Sequence, residues 1–289
     1  MEPESRYVLS QQLQLHYVVW GEPERPPLVL LHGGRDHARS WDPTAKALAS
    51  QYQVFVPDLR GHGDSDWALG GNYSIIDYSL DLHALIGKIG REPVALVAHS
   101  LGGSIALQYA GTFPEKVGSV ISIEGLGRLP LAGSEHRPAH ERMRRWLADM
   151  RELDAREPHL YETIDAAATR MEEANRHLAP ELVRHLTEHG VREVEGGYAW
   201  KFDNHVRARS PYEFNMEDAR DIWNQIRAPI LFLSGSESWG GREGGPDYSA
   251  FHSFRAETVE GAGHWVHHDR FEVFIALVEE FLAKAAATG

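Results

Sequence analysis

The sequence predicts an α/β fold: one mostly parallel sheet of eight strands, with a helical segment inserted after the sixth. Three observations carry this expectation. Short, wholly apolar runs alternate with helical periods from residue 28 to 123 and resume at 229, the rhythm of a parallel sheet covered on both faces. Turn-forming residues close the runs, Gly33-Gly34 after the first and Pro57-Asp58 after the second. A polar, charged stretch of helical period separates the two parts.

Taken in order, residues 7–10 and 15–20 read as an antiparallel edge pair, the second strand closed by Gly21 and Pro23. Residues 28–31 and 54–56 are continuous apolar runs, as expected of strands buried on both faces. Residues 74–90 set Ile75, Tyr78, Leu82, Leu85, Ile86 and Ile89 at helical spacing. Residues 94–98 form the next apolar strand, 101–112 a helix and 117–123 the sixth strand.

Beyond this the rhythm changes. Met143, Trp146, Leu147, Met150 and Leu153 share one helix face, and Leu182, Val183 and Leu186 mark a further short helix. Gly196-Gly197 breaks the pattern before residues 198–202. Residues 229–233 and 257–259 supply the last two strands. A final helix begins near residue 270, with Phe274, Leu277, Val278 and Phe281 facing inward. The expected organisation is a core of residues 1–127 and 223–289, with residues 128–222 as a helical lid inserted into it.

Composition narrows the function. Twenty-nine Lys and Arg against 42 Asp and Glu give a net charge of −13, which disfavours nucleic acid and anionic membranes as partners. The expected partner is a small-molecule substrate, and the sequence sets no oligomeric state. The absence of cysteine excludes disulfides and thiolate chemistry. No apolar stretch approaches the ~20 residues of a membrane span, and residues 1–10 lack the pattern of a signal peptide. The cytoplasm is therefore the default location. His185 and His189 lie four residues apart in the inserted segment, a spacing that a solvated helix face accounts for. No cofactor or metal is expected.

The chemistry concentrates at VALVAHSLGG, residues 94–103. An apolar strand runs straight into Ser100, and small residues follow. A serine in so tight a strand-to-helix turn projects its hydroxyl above the sheet. The helix opening behind it leaves the N–H of Leu101 free to donate to an oxyanion.

Four segments in order resemble the α/β-hydrolase superfamily, in its lidded serine hydrolase branch: LLHGG at 30–34, PDLRGHGDSD at 57–66, VAHSLGG at 97–103 and GAGHW at 261–265. The resemblance covers the whole chain except the lid. It implies the α/β-hydrolase fold, Ser100 as nucleophile, His264 as its base, and the N–H groups of Gly34 and Leu101 as oxyanion hole. The usual G-x-S-x-G departs at its first position, which is Ala98. His32 is expected to brace its loop, and Arg60, His62 and Asp64 to fix the shape of theirs.

The acid departs further. Ser238 stands where many relatives keep an Asp after the seventh strand, and a neutral hydroxyl cannot stabilise an imidazolium. Glu237 is one residue early. Glu124, at the end of the sixth strand, is where some members of this branch place the acid, and it is preferred to Glu237. The alternatives for Glu124 are a cap on the chain's exit or a pair with Arg128. Dehalogenases and most epoxide hydrolases of this fold carry Asp at the elbow, so Ser100 points instead to acyl transfer.

A small or medium carboxylic ester or lactone is the expected substrate. The alternatives are a diketone cleaved at a C–C bond by the same residues, or a ligand bound in the same cleft without turnover. Trp41, Trp146, Trp200, Trp223, Trp239 and Trp265 are candidates to line an apolar pocket, with at least half expected in the core. Arg35 and Asp36, just after the oxyanion loop, are candidates to touch substrate or each other.

Overall fold

The computed structural model describes residues 2–70, 73–126, 138–208, 210–211, 216–238 and 247–288. Eight strands pair into one sheet: β1 (Glu4–Ser10), β2 (Leu13–Trp20), β3 (Pro27–Leu31), β4 (Gln53–Pro57), β5 (Val94–His99), β6 (Val117–Ile123), β9 (Ile230–Gly235) and β10 (Phe254–Val259). β7 (Val191–Val194) and β8 (Gly197–Trp200) form a separate antiparallel hairpin. The order in the large sheet is β1-β2-β4-β3-β5-β6-β9-β10. β2 pairs antiparallel with both β1 and β4, and every other pairing is parallel.

The continuous apolar runs are explained by cover on both faces. Along β3, Val29 and Leu31 enter one core cluster, and Leu28 and Leu30 the other. The first cluster is closed by α2 (Ile75–Ile89) and α3 (Leu101–Thr112) through Tyr78, Leu82, Leu85, Ile105 and Tyr109. The second is closed by α1 (Asp42–Leu48) and α9 (Phe271–Thr288) through Leu48, Phe274, Val278 and Leu282. Each large apolar side chain so buried contributes about 1.5–3 kcal/mol. α2 starts and stops where its sequence says it should. Ser74 and Asp77 form a reciprocal capping box, and Gly90 ends the helix at φ 66°.

Between β6 and β9 come α4 (Ala139–Asp154), α5 (Ile164–Ala174), α6 (Pro180–Gly190), the hairpin and α7 (Met216–Trp223). The last helical turn before the terminal helix is α8 (Val266–Asp269). α7 packs back on the sheet, since Ala219 and Trp223 join the first core cluster. Arg128 and Trp239 lie outside the described residues.

The structure corrects the reading of His185 and His189. Their helix face is not solvated: α6 rests on the turn Ala38–Trp41 that leads into α1. The His185 Nε2–H donates to the Arg39 carbonyl at 3.0 Å and lies 3.3 Å from Asp42 Oδ2. The apolar Val183 and Leu186 are buried as expected, and the two histidines beside them are partly buried as well, which histidine tolerates against a carboxylate. No helix among the described residues is long and apolar enough to cross a membrane.

Candidate active site

β3 has β4 on one side and β5 on the other, so the chain leaves these neighbouring strands in opposite directions across the sheet. Open α/β sheets bind ligands at such a switch point, outside the carboxyl ends of the strands. Gly34 follows β3 and Ser100 follows β5, so both stand there. Gly34, Ser100, Leu101, Glu124 and His264 line one cavity.

Ser100 has φ 51° and ψ −111°, a backbone conformation costly for any residue with a side chain. Three features hold it. Its N–H donates to the Ile123 carbonyl at 2.8 Å, which ties the elbow to β6. A Cβ on Gly102 would lie 2.5 Å from the Leu31 carbonyl oxygen, and one on Gly103 would lie 2.6 Å from Gly125 Cα. Both positions must be bare for α3 to start this close to β3 and β6. Leu101 opens α3, so its N–H has no acceptor within the helix.

Glu124 continues directly from β6 at φ 53°. Its N–H donates to the Leu233 carbonyl at 2.9 Å. Its carboxylate is divided between two tasks. Oε1 accepts the Gly235 N–H at 2.9 Å, and Oε2 lies 3.7 Å from His264 Nδ1. That separation is within ion-pair reach and slightly long for a hydrogen bond. Both side chains are largely buried, at 11% and 21% exposure.

Glu237 is elsewhere. Its side chain is 56% exposed and lies 3.7 Å from His177 Nε2 on the inserted segment. Ser238 is also away from His264: its N–H donates to the Gly235 carbonyl, and its hydroxyl is buried without a partner. Of the two candidate carboxylates, the structure therefore brings Glu124, and not Glu237, to His264.

The loop that carries His264 is pinned from both sides. His99 donates its Nε2–H to the His264 carbonyl at 3.0 Å, and Asp269 Oδ2 accepts the Gly263 N–H at 2.8 Å. Burial, then repulsion from His264, holds His99 well below its ordinary pKa, so it stays neutral. Burial raises the Asp269 carboxyl above its ordinary range. Neither residue stands out in the sequence. His99 reads as part of the elbow motif, and Asp269 follows two histidines with no spacing that marks it. A Cβ on Gly235 would lie 2.2 Å from the Gly263 carbonyl oxygen, so the bare strand end is what lets the loop pass.

The bracing residues behave as expected. His32 accepts the Leu59 N–H on Nε2 and donates from Nδ1 to the Gly33 carbonyl. Burial and then His62 push it down to about 3. Arg60 grips Asp81 with two contacts of 2.6 Å, His62 is fully buried, and Asp64 pairs with Lys201 at 2.7 Å. Asp36 is spent on its own turn, accepting from the His37 N–H and the Ser40 hydroxyl.

Trp146, Trp200, Trp223 and Trp265 line the cavity, and so does Trp67, which the sequence did not single out. Trp41 is fully buried in the core. Arg35, Arg156 and Arg207 line the same cavity. Burial, then repulsion from Arg35 and Arg156, lowers the pKa of Arg207.

Comparison with known proteins agrees with this fold. A family model described as alpha/beta hydrolase fold matches residues 26–271. A serine hydrolase-like protein of Danio rerio is 26% identical over 76% of this chain and 68% of its own length. Epoxide hydrolase 1 of Caenorhabditis elegans is 24% identical over 97% of this chain and 70% of its own. Among solved structures, the thioesterase domain from the curacin biosynthetic pathway superposes with a TM-score of 0.86 at 23% identity, covering 97% of this chain and all of that domain.

Proposed function

Because this chain belongs to the α/β-hydrolase fold family, we propose that it is a serine hydrolase cleaving a small or medium carboxylic ester or lactone through an acyl-enzyme. Ser100 is the nucleophile, His264 the general base, Glu124 the acid, and the N–H groups of Gly34 and Leu101 the oxyanion hole. The observation that carries this reading is the approach of Glu124 Oε2 to His264 Nδ1 beside a strained Ser100 at the switch point.

The steps follow from the positions. His264 Nε2 takes the Ser100 proton as Oγ attacks the carbonyl carbon. Negative charge moves to the carbonyl oxygen, where two aimed N–H donors stabilise it. Glu124, fixed by Gly235, stabilises the imidazolium and keeps Nδ1 protonated. The imidazolium gives its proton to the leaving alkoxide, and the acyl-enzyme forms. Water, deprotonated by His264, then releases the acid and restores Ser100. The segment between β6 and β9 acts as the lid that shapes the acyl pocket.

A serine at the elbow argues against the carboxylate nucleophile of most epoxide hydrolases, despite the likeness to one. The test is p-nitrophenyl ester hydrolysis with fluorophosphonate labelling. Wild type turns over and labels at Ser100. Ser100→Ala does neither. Folded wild type that fails to label would sink the proposal.

A further inference from the structure

α6 carries His185 and His189 one turn apart, and the fold lays them against Asp42 at the start of α1. Ligand atoms of the three lie within 4.8 Å of one another. None of the three lines the cavity at Ser100. We propose that Asp42, His185 and His189 bind one divalent transition-metal ion of borderline softness, such as zinc, at the seam between the inserted segment and the sheet.

The chemistry of the donors fits. Two imidazoles at i, i+4 on a helix with one carboxylate make a three-ligand set with a fourth position left for water. A tetrahedral ion about 2.1 Å from each donor sets them about 3.4 Å apart. Side-chain rotations of the order of 1 Å bring these three to that spacing.

Two groups at this seam lack partners that an ion would supply. Asp42 is 8% exposed, and its Oδ1 is buried without a hydrogen bond. A buried orphan carboxylate oxygen requires an explanation, and a bound ion is one. Among the described residues, no hydrogen bond or ion pair reaches His189; its ring meets only that of His185, edge-on at 4.6 Å.

One neighbour opposes binding. Arg39 donates to Asp42 Oδ2 at 2.7 Å, and His185 donates to the Arg39 carbonyl. The ion must take Oδ1 and draw His185 away from that carbonyl, against the guanidinium charge. Removing Arg39 should therefore tighten the site, a response that a merely structural histidine pair would not give.

The experiment is titration of the EDTA-treated full-length chain with zinc by calorimetry, and with cobalt(II) followed by its visible d–d absorption. Wild type should bind one ion per chain with tetrahedral cobalt bands. His189→Gln and Asp42→Asn should each weaken binding more than about tenfold, with native circular dichroism. Arg39→Gln should strengthen it severalfold. His189 is only partly buried, so His189→Gln keeps the test valid if Asp42→Asn fails to fold. Absence of a site tighter than about 1 mM overturns the proposal. So does affinity unchanged by His189→Gln, which would place the ion elsewhere, such as at Glu124 and His264.

Discussion

His99 donates its Nε2–H to the backbone carbonyl of His264 at 3.0 Å, so the residue before Ser100 holds the loop of His264. His99→Leu removes the donor and frees that loop. We expect kcat for a p-nitrophenyl ester to fall about 10–100-fold with KM nearly unchanged, since misplacement by about 1 Å can cost that much. His99→Gln, which retains a donor, should recover part of the loss. Equal loss in both variants would show that the bond does not position the base.

The two candidate carboxylates, Glu124 and Glu237, should respond very differently. Glu124→Gln keeps shape and removes charge, and should lower kcat about 10²–10⁴-fold. Glu237→Gln, on an exposed side chain that faces His177, should stay within about threefold of wild type. Steady-state kinetics on both variants decide the matter. The reverse ranking would move the acid to Glu237.

Buried histidines make the fold sensitive to acid. Burial holds His32, His62, His99, His267 and His268 below the ordinary value of 6.5, with His62 at about 4 and His268 at about 3. The unfolded chain takes up protons below pH 6.5 while the folded chain does not. The stability these groups contribute is thus complete above pH 6.5 and lost as pH falls towards their folded values, by about 1.4 kcal/mol per pH unit for each group. His267 stacks on Trp41 at 4.4 Å with both ring nitrogens buried and unpartnered. His267→Phe keeps the stack and removes one such group, so urea denaturation at pH 7 and pH 5 should show a smaller difference than in wild type. An unchanged difference would refute this.

Gly235 tests the close approach of strand and loop. A Cβ there would overlap the carbonyl oxygens of Ala262 and Gly263, at 2.3 and 2.2 Å. Gly235→Ala should destabilise the fold by about 1–3 kcal/mol and lower kcat by displacing His264. Thermal denaturation and ester kinetics measure the two effects, and wild-type values for both would contradict the geometry.

The grouping of Arg35, Arg156 and Arg207 in the cavity predicts a preference among substrates. Arg156→Ala and Arg207→Ala should raise KM for an ester whose acyl chain ends in a carboxylate and leave KM for a neutral ester nearly unchanged. Equal effects on both esters would mean that these residues act through packing.

The sheet was legible because burial on both faces leaves a signature that few other structures share. All eight strands were expected, including the edge pair. The starts of β1 and β10 were placed too late, since Glu4–Arg6 are all exposed, Phe254–Ala256 alternate between exposed and partly buried, and neither stretch carries an apolar run. The β7–β8 hairpin was missed because its strands are four residues each, too short for a period to show. Ser100 and His264 stood out as candidates in the local sequence, because each sits in a turn whose small residues are contiguous with it. Glu124 was preferred as the partner of His264 from the resemblance, whereas His99 and Asp269, which pin the loop of His264, were missed. Glu124 lies 140 positions away in the chain, and only the pairing of β6 with β9 makes Gly235 available to hold it. The histidines of α6 were misread because periodicity gives a helix face but not what lies against it.

β6 and β9 are neighbours in the sheet, yet α4 to α7 intervene between them in the chain. Glu124 stands at the exit from one strand and Gly235 at the end of the other, joined by a hydrogen bond. The intervening segment leaves the sheet at Glu124 and rejoins it through α7 at Ile230, the end of β9 opposite Gly235, so the bond between Glu124 and Gly235 does not pass through it. Its length and sequence can diverge, or be exchanged for a segment from another protein, while acid and base keep their spacing. If the proposed function holds, substrate range and chemical step are separately heritable in such an arrangement, and chimaeras that exchange the segment between β6 and β9 should inherit the pocket of the donor and the turnover of the host.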